Sequence, residues 1–201
     1  MRLIVGMTGA TGAPLGVSLL LALREMPGVE THLVLSKWAK TTIELETPYS
    51  VRDVSALADY CHNPADQSAT ISSGSFRTDG MIIIPCSMKT LAGIRAGYAE
   101  GLVGRAADVV LKEGRKLVLV PREMPLSTIH LENMLKLSRM GVDSLATLRN
   151  GRKACFDLYG QGLPGIVTQQ PQSTGTAQQY RIARWLAAQH VQCISGSAMV
   201  Q

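Results

Sequence analysis

An α/β fold with a mainly parallel sheet is predicted by three observations. Short runs of β-favouring apolar residues, Leu3-Ile4-Val5, Met81-Ile82-Ile83-Ile84 and Leu117-Val118-Leu119-Val120, read as strands buried on both faces. Amphipathic helical patterns alternate with them. Glycine and small hydroxyl residues stand where strands give way to helices. A chain of 201 residues, 46% of them hydrophobic, suits one domain with a sizeable core.

The first strand runs into Gly6-Met7-Thr8-Gly9-Ala10-Thr11-Gly12, and Leu15, Leu19, Leu20 and Leu23 then share one helix face. Glycines let backbone approach a ligand closely, and free N–H groups at a helix start favour phosphate. The spacing Gly6-x-x-Gly9-x-x-Gly12 is neither the G-x-G-x-x-G dinucleotide fingerprint nor a P-loop, which needs a lysine. Two readings stand: a phosphate cradle to which Thr8 and Thr11 add hydroxyls, or a turn that packs a helix on a sheet.

Glu30–Leu35 alternates like a strand and ends at Ser36, which either caps a helix over 37–46 or faces a ligand crevice. A second helical pattern covers 51–60. Residues 61–79 are polar and irregular, with Ser72-Ser73-Gly74-Ser75 as a loop or a short strand edge. The apolar run 81–85 stops at Cys86-Ser87-Met88-Lys89-Thr90, where capping chemistry and a ligand role compete again. A helix over 101–114 puts Arg105 and Lys112, seven apart, on one face. The strand 116–121 ends at Arg122-Glu123, either an exposed ion pair or a fourth polar strand end. Four strand ends bringing polar groups to one edge is the layout of a ligand crevice. A helix over 127–140 closes at Gly141.

Several function classes are excluded. No apolar run approaches the roughly 18 residues of a membrane span, and the start lacks a signal peptide's apolar region, so a cytoplasmic protein is expected. Cys61, Cys86, Cys155 and Cys193 form no C-x-x-C pair and read as buried or partly buried small hydrophobes. The histidines are scattered along the chain, which argues against a metal cluster. The net charge is only +5 and aromatics make up 4%, so nucleic acid is not an expected partner. Beyond Val142 the text turns rich in Gly, Gln and Thr. Residues 1–142 therefore read as the folded domain and 143–201 as an atypical tail.

These residues resemble the flavin prenyltransferases of the UbiX type, formerly called phenylacrylic or hydroxyarylic acid decarboxylases. The matching text is Gly6-x-Thr8-Gly9-Ala10-Thr11-Gly12-Ala13, Ser36-Lys37, Leu45-Glu46-Thr47, Ser72-Ser73-Gly74-Ser75, Pro85-Cys86-Ser87-Met88-Lys89-Thr90-Leu91, Gly104-Arg105 through Lys112-Glu113, and Arg122-Glu123-x-Pro125-Leu126. It covers residues 2–142. The resemblance implies a flavodoxin-like (Rossmann-type) three-layer domain that binds FMN and assembles as a trimer-based dodecamer. It implies transfer of a dimethylallyl group from dimethylallyl phosphate to N5 and C6 of reduced FMN, without a metal. The prenylated FMN would go to a UbiD-type aromatic acid decarboxylase.

Carried over, Gly9, Ala10, Thr11, Ser36, Ser87, Met88, Lys89, Thr90 and Arg122 would bind the flavin, with Thr11 near N5. Arg105, Lys112 and Glu123 would handle the leaving phosphate, and Glu46 would stand near the prenyl site. A leaving phosphate needs cations for its charge and an acid for its oxygen. The family continues with a proline-rich segment bearing a tyrosine, and then a basic residue, that clamp this phosphate. Here Asp143–Arg149 departs from that pattern, and Tyr159 stands in no matching context. Two alternatives are an FMN-binding scaffold inactive in transfer and a related flavin-dependent cysteine decarboxylase.

Overall fold

The computed structural model describes residues 1–145. In chain order they form β1 (Arg2–Met7), α1 (Ala13–Arg24), β2 (Glu30–Leu35), α2 (Lys37–Glu46), α3 (Val51–Ser55), β3 (Tyr60–His62) and a 3-10 turn (Thr70–Ser72). Then follow β4 (Gly80–Cys86), α4 (Met88–Arg95), α5 (Gly101–Lys112), β5 (Lys116–Pro121), α6 (Thr128–Arg139) and β6 (Asp143–Ser144). One sheet has the order β3-β2-β1-β4-β5-β6, and every neighbouring pair is parallel. Without the three-residue edge strand β3, the order is that of a flavodoxin-like sheet. The winding direction reverses between β1 and β4, so the switch point lies at their carboxyl ends.

The continuous apolar runs are explained by a sheet covered on both faces. Leu3, Val5, Met7, Leu33, Leu35, Ile82 and Ile84 pack with Leu19, Leu20, Leu23 and Ile43 of α1 and α2. Ile4, Val34, Met81, Ile83, Leu117 and Leu119 pack with Leu91, Leu102, Ala106, Val110 and Leu137 of α4, α5 and α6. Gly16 lets α1 lie close to β4: a methyl there would stand 2.7 Å from the Ile84 carbonyl oxygen. Among the described residues no helix is long and apolar enough to cross a membrane.

Three expectations are corrected. The helix expected over 51–60 ends at Ser55, and Tyr60–His62 turns back as an edge strand on β2. A capping box between Ser50 and Asp53 starts the short helix. The edge strand is held by His32, whose ring stacks on Tyr60 at 4.7 Å and meets His62 Nε2 at 2.9 Å. The scattered histidines thus include one close pair, although no group of three metal-ligating side chains occurs among the described residues. Cys61, expected to be buried or partly buried, is exposed on β3, whereas Cys86 is buried and its thiol is pushed up to about 12 by burial. Beyond Val142, where no strand was expected, Asp143 and Ser144 pair with Val118 and Leu119 as β6. Cys155, Tyr159, Cys193 and the remainder of the expected tail lie outside the described residues.

Candidate functional site

The crevice at the switch point is built first by Thr8. Its side chain is 3% exposed, and its hydroxyl donates to the Pro85 carbonyl at 2.9 Å while accepting from the Ser87 N–H at 2.7 Å. The hydroxyl expected to face a phosphate is instead a staple between the ends of β1 and β4. Ser36 N–H donates to the Met7 carbonyl at 3.0 Å and fixes the end of β2 beside it.

Three helices begin at this edge. Gly12, the N-cap of α1, has φ 115° and no side chain to offer, so the cap comes from elsewhere. Glu46, at the end of α2, accepts with Oε2 from the Gly12 N–H at 2.7 Å and the Ala13 N–H at 3.0 Å. The place expected for a phosphate at α1 is held by the chain's own carboxylate. Ser36 and Ser87 cap α2 and α4 by accepting from the Ala39 and Thr90 N–H groups at 3.1 and 3.2 Å. A capping serine spends a lone pair and keeps a hydroxyl proton. Ser87 Oγ also lies 2.9 Å from Thr90 Oγ1.

The other predicted residues of this edge contribute more loosely. Gly9 and Thr11 are exposed and Ala10 is half-buried. Gly9 lies so close to Trp38 that a side chain at Gly9 would collide with the Trp38 Cβ. Met88, the first residue of α4, packs partly against the core. Lys89 points outward, 3.6 Å from Glu100. Arg122 and Glu123 follow β5, and no ion pair joins them among the described residues. Glu123 instead accepts from the Met124 N–H at 3.3 Å.

Arg105 and Lys112 stand elsewhere. They line an open basin of about 700 Å³ with Ser72–Ser75, Arg77, Glu113 and Arg115. Arg105 donates to the Ser72 carbonyl at 3.1 Å and to Asp108 at 2.8 Å. Lys112 Nζ meets Glu113 at 2.6 Å and, with Arg115 beyond it, holds that carboxyl below the usual range. Lys112 ends α5 four residues before Lys116, which pairs with Gly80 at the start of β4. The basin thus reaches the amino-terminal edge of the sheet. A six-residue strand spans about 20 Å, so its Lys112 end and the crevice lie at opposite edges of one molecule.

A family model described as Flavoprotein matches residues 1–164. The chain is 91% identical over 142 residues to a probable UbiX-like flavin prenyltransferase of Escherichia coli O157:H7, covering 71% of this chain and 72% of that protein. It is 56% identical over 169 residues to a flavin prenyltransferase of Lactiplantibacillus plantarum, covering 84% and 88%. The chain belongs to the UbiX-like flavoprotein family. Among solved structures, it resembles a dodecameric FMN-dependent UbiX-like decarboxylase from E. coli O157:H7. The TM-score is 0.75 at 68% identity, covering 97% of this chain and 95% of that one. It also resembles a UbiX protein in complex with FMN and dimethylallyl pyrophosphate, with a TM-score of 0.70 at 57% identity, covering 76% and 79%.

In this UbiX-like chain, the residues expected to form one site fall into two groups. Gly9, Ala10, Thr11, Ser36, Glu46, Ser87–Thr90, Arg122 and Glu123 belong to the strand-end edge; Arg105 and Lys112 belong to the basin. Sequence reasoning missed Glu113 and Arg115 as basin residues and Thr8 as a staple. Only the last left a signal, since a threonine directly after a buried strand has a backbone to bond.

Proposed function

We propose that this chain transfers the dimethylallyl group of dimethylallyl phosphate to reduced FMN and supplies prenylated FMN to a UbiD-type aromatic acid decarboxylase. The observation that carries the reading is the gathering of four polar strand ends at the switch point of a UbiX-like sheet. Its donor set fits FMN. Ser36, Thr90 and the first-turn N–H groups of α2 and α4 offer neutral donors to a phosphate ester, and Arg122 offers a cation. The exposed backbone at Gly9 and Thr11 is where the flat ring would lie. The relatives at 91% and 56% identity bear the name flavin prenyltransferase, which favours transfer over a cysteine decarboxylase reaction. A neighbour described as an FMN-dependent cysteine decarboxylase, at 20% identity, shares the fold alone.

When bound, reduced FMN would supply two electron-rich positions: N5 for the allylic carbon freed as the C–O bond to phosphate breaks, and C6 for the tertiary carbon once the remaining double bond is protonated, with N5 and C6 each giving up the proton it carried. Arg105 and Lys112 hold the departing phosphate and offset its growing charge. Glu123 gives a proton to the phosphate oxygen. Gly9, Ala10 and Thr11 would orient the ring, with Thr11 toward N5. Glu46 keeps the loop in register by holding the amino end of α1, and its carboxylate would stand beside the prenyl group. The reaction is read as needing no metal.

The separation of crevice and basin gives the reading its quaternary requirement. The Lys112 end of the basin serves the crevice of a neighbouring copy, so the active form is a homo-oligomer, in keeping with the dodecameric relative. Mass spectrometry of flavin after anaerobic incubation with reduced FMN and dimethylallyl phosphate tests the reading. A gain of one dimethylallyl unit is expected. Unmodified flavin, tightly held, would reduce the chain to a binding scaffold.

A further inference from the structure

The basin cations are held from behind by residues that do not themselves face the crevice. Arg115, whose side chain is only 15% exposed, donates to the Gly74 carbonyl at 2.7 Å, the Phe76 carbonyl at 3.0 Å and Thr78 Oγ1 at 3.4 Å. Its Nη2 also stands 3.8 Å from Glu113. Three contacts along residues 74–78 turn that segment into a strap tied to the end of α5. The strap presses on the Lys112–Glu113 pair at Gly74. A methyl there would collide with Glu113 Oε1 and stand 3.0 Å from Lys112 Nζ. Just upstream, the Ser72 carbonyl accepts from Arg105.

We propose that Gly74, Glu113 and Arg115 are positioning residues that fix where the Lys112 ammonium stands. The proposal rests on the transfer reading for its consequence, since Lys112 is the group there assigned to the phosphate. Arg115 sets the height of the strap, Gly74 keeps it free of a side chain, and Glu113 holds the ammonium beneath it. A four-carbon lysine stem left to itself samples many rotamers, and a catalytic cation displaced by even an ångström loses much of its value. The side chain of Glu113 reaches both Lys112 and Arg115, which makes the three residues one mechanical unit.

Gly74→Ala is the sharpest test. The atoms it displaces are the far ends of flexible side chains, so the fold tolerates it while the ammonium moves. Two quantities are read in the full chain. One is the rate of Lys112 acetylation by a small acylating reagent, followed by peptide mass spectrometry with the exposed Lys89 as internal standard. The other is kcat/KM for prenylation of reduced FMN with dimethylallyl phosphate. Gly74→Ala and Glu113→Ala should each raise Lys112 acetylation about two- to fivefold, the scale of an exposed ion pair. Each should also lower kcat/KM about tenfold. The double variant should be no worse than Glu113→Ala alone, because the added methyl then meets no carboxylate.

Unchanged acetylation in both variants would overturn the proposal. So would strictly additive effects, or altered acetylation with kcat/KM intact in an active wild type. A wild type that makes no prenylated flavin would sink the transfer reading instead, and the acetylation pattern would still decide whether this unit positions Lys112. Arg115→Lys, which keeps the charge but not the fork, should reproduce the Gly74→Ala acetylation.

Discussion

In the crevice, short side chains are locked by bonds to the ends of strands and helices; in the basin, long charged side chains are locked by carbonyls of an irregular segment and by one another. Thr8, Ser36 and Ser87 have few rotamers to lose, and each spends a hydroxyl on a strand end or a helix amino end. Arg105, Lys112 and Glu113 are a third to a half exposed; Arg105 meets Asp108 and the Ser72 carbonyl, and Glu113 meets Lys112 and Arg115. The difference teaches where precision costs stability. A crevice built into the switch point cannot change without disturbing the sheet. A basin on the flank of α5 can change its chemistry while the fold stays intact.

The largest expected effect separates the two directly. Lys112→Ala should lower kcat/KM for dimethylallyl transfer about 100- to 1,000-fold, the loss typical of one group that meets developing charge. Its stability should stay within about 0.5 kcal/mol of wild type, because the side chain is exposed. A variant that transfers normally, or one that melts early, would break the comparison. Steady-state transfer and thermal melting measure the two halves.

Thr8→Val should do the reverse. It is close in shape but leaves the Ser87 N–H without its acceptor at a buried position, which should cost about 1–3 kcal/mol. Denaturant titration reads that loss, and flavin content after purification should fall with it. Next comes Glu46→Gln, which keeps one acceptor oxygen but removes the charge facing the α1 amino end. A carboxylate at a helix start is worth about 0.3–1 kcal/mol, so a stability loss of that size is expected by the same titration. No loss would mean that the glycine loop holds its shape without Glu46.

Much of this was legible from residue pattern alone. The apolar runs placed β1, β4 and β5, alternation placed β2, and the seven-residue spacing put Arg105 and Lys112 on one face of α5. What the pattern could not carry was distance across the sheet. Only the strand order shows that α5 ends at the edge opposite the crevice, because a helix joining two parallel strands must run back. The strands β3 and β6 escaped notice because two or three residues are too few for a period to emerge. His32 and His62 meet across 30 residues of sequence, which no local pattern records. Glu46 could have been anticipated in part. Gly12 has no side chain for a cap, so the α1 amino end needed an acceptor from elsewhere, although sequence does not say which.

The smallest expected effect concerns acid. The Glu113 carboxyl is held below its ordinary value of 4.5, chiefly by the Lys112 hydrogen bond and charge and then by Arg115. As pH falls, the unfolded chain therefore takes up this proton before the folded one does. The contribution of the pair is whole above about 4.5 and is lost as pH falls through the lower folded value. Melting curves of wild type and Glu113→Gln should run a constant distance apart above that value and converge below it. The gap is small because both partners are well exposed and water screens them. Thr8 supplies the contrast, since its hydroxyl and the backbone groups it joins do not titrate in this range. The Thr8→Val deficit should persist unchanged through the window in which the Glu113→Gln deficit disappears. If both deficits faded together, the crevice would depend on the same charges as the basin, and the division between them would not hold.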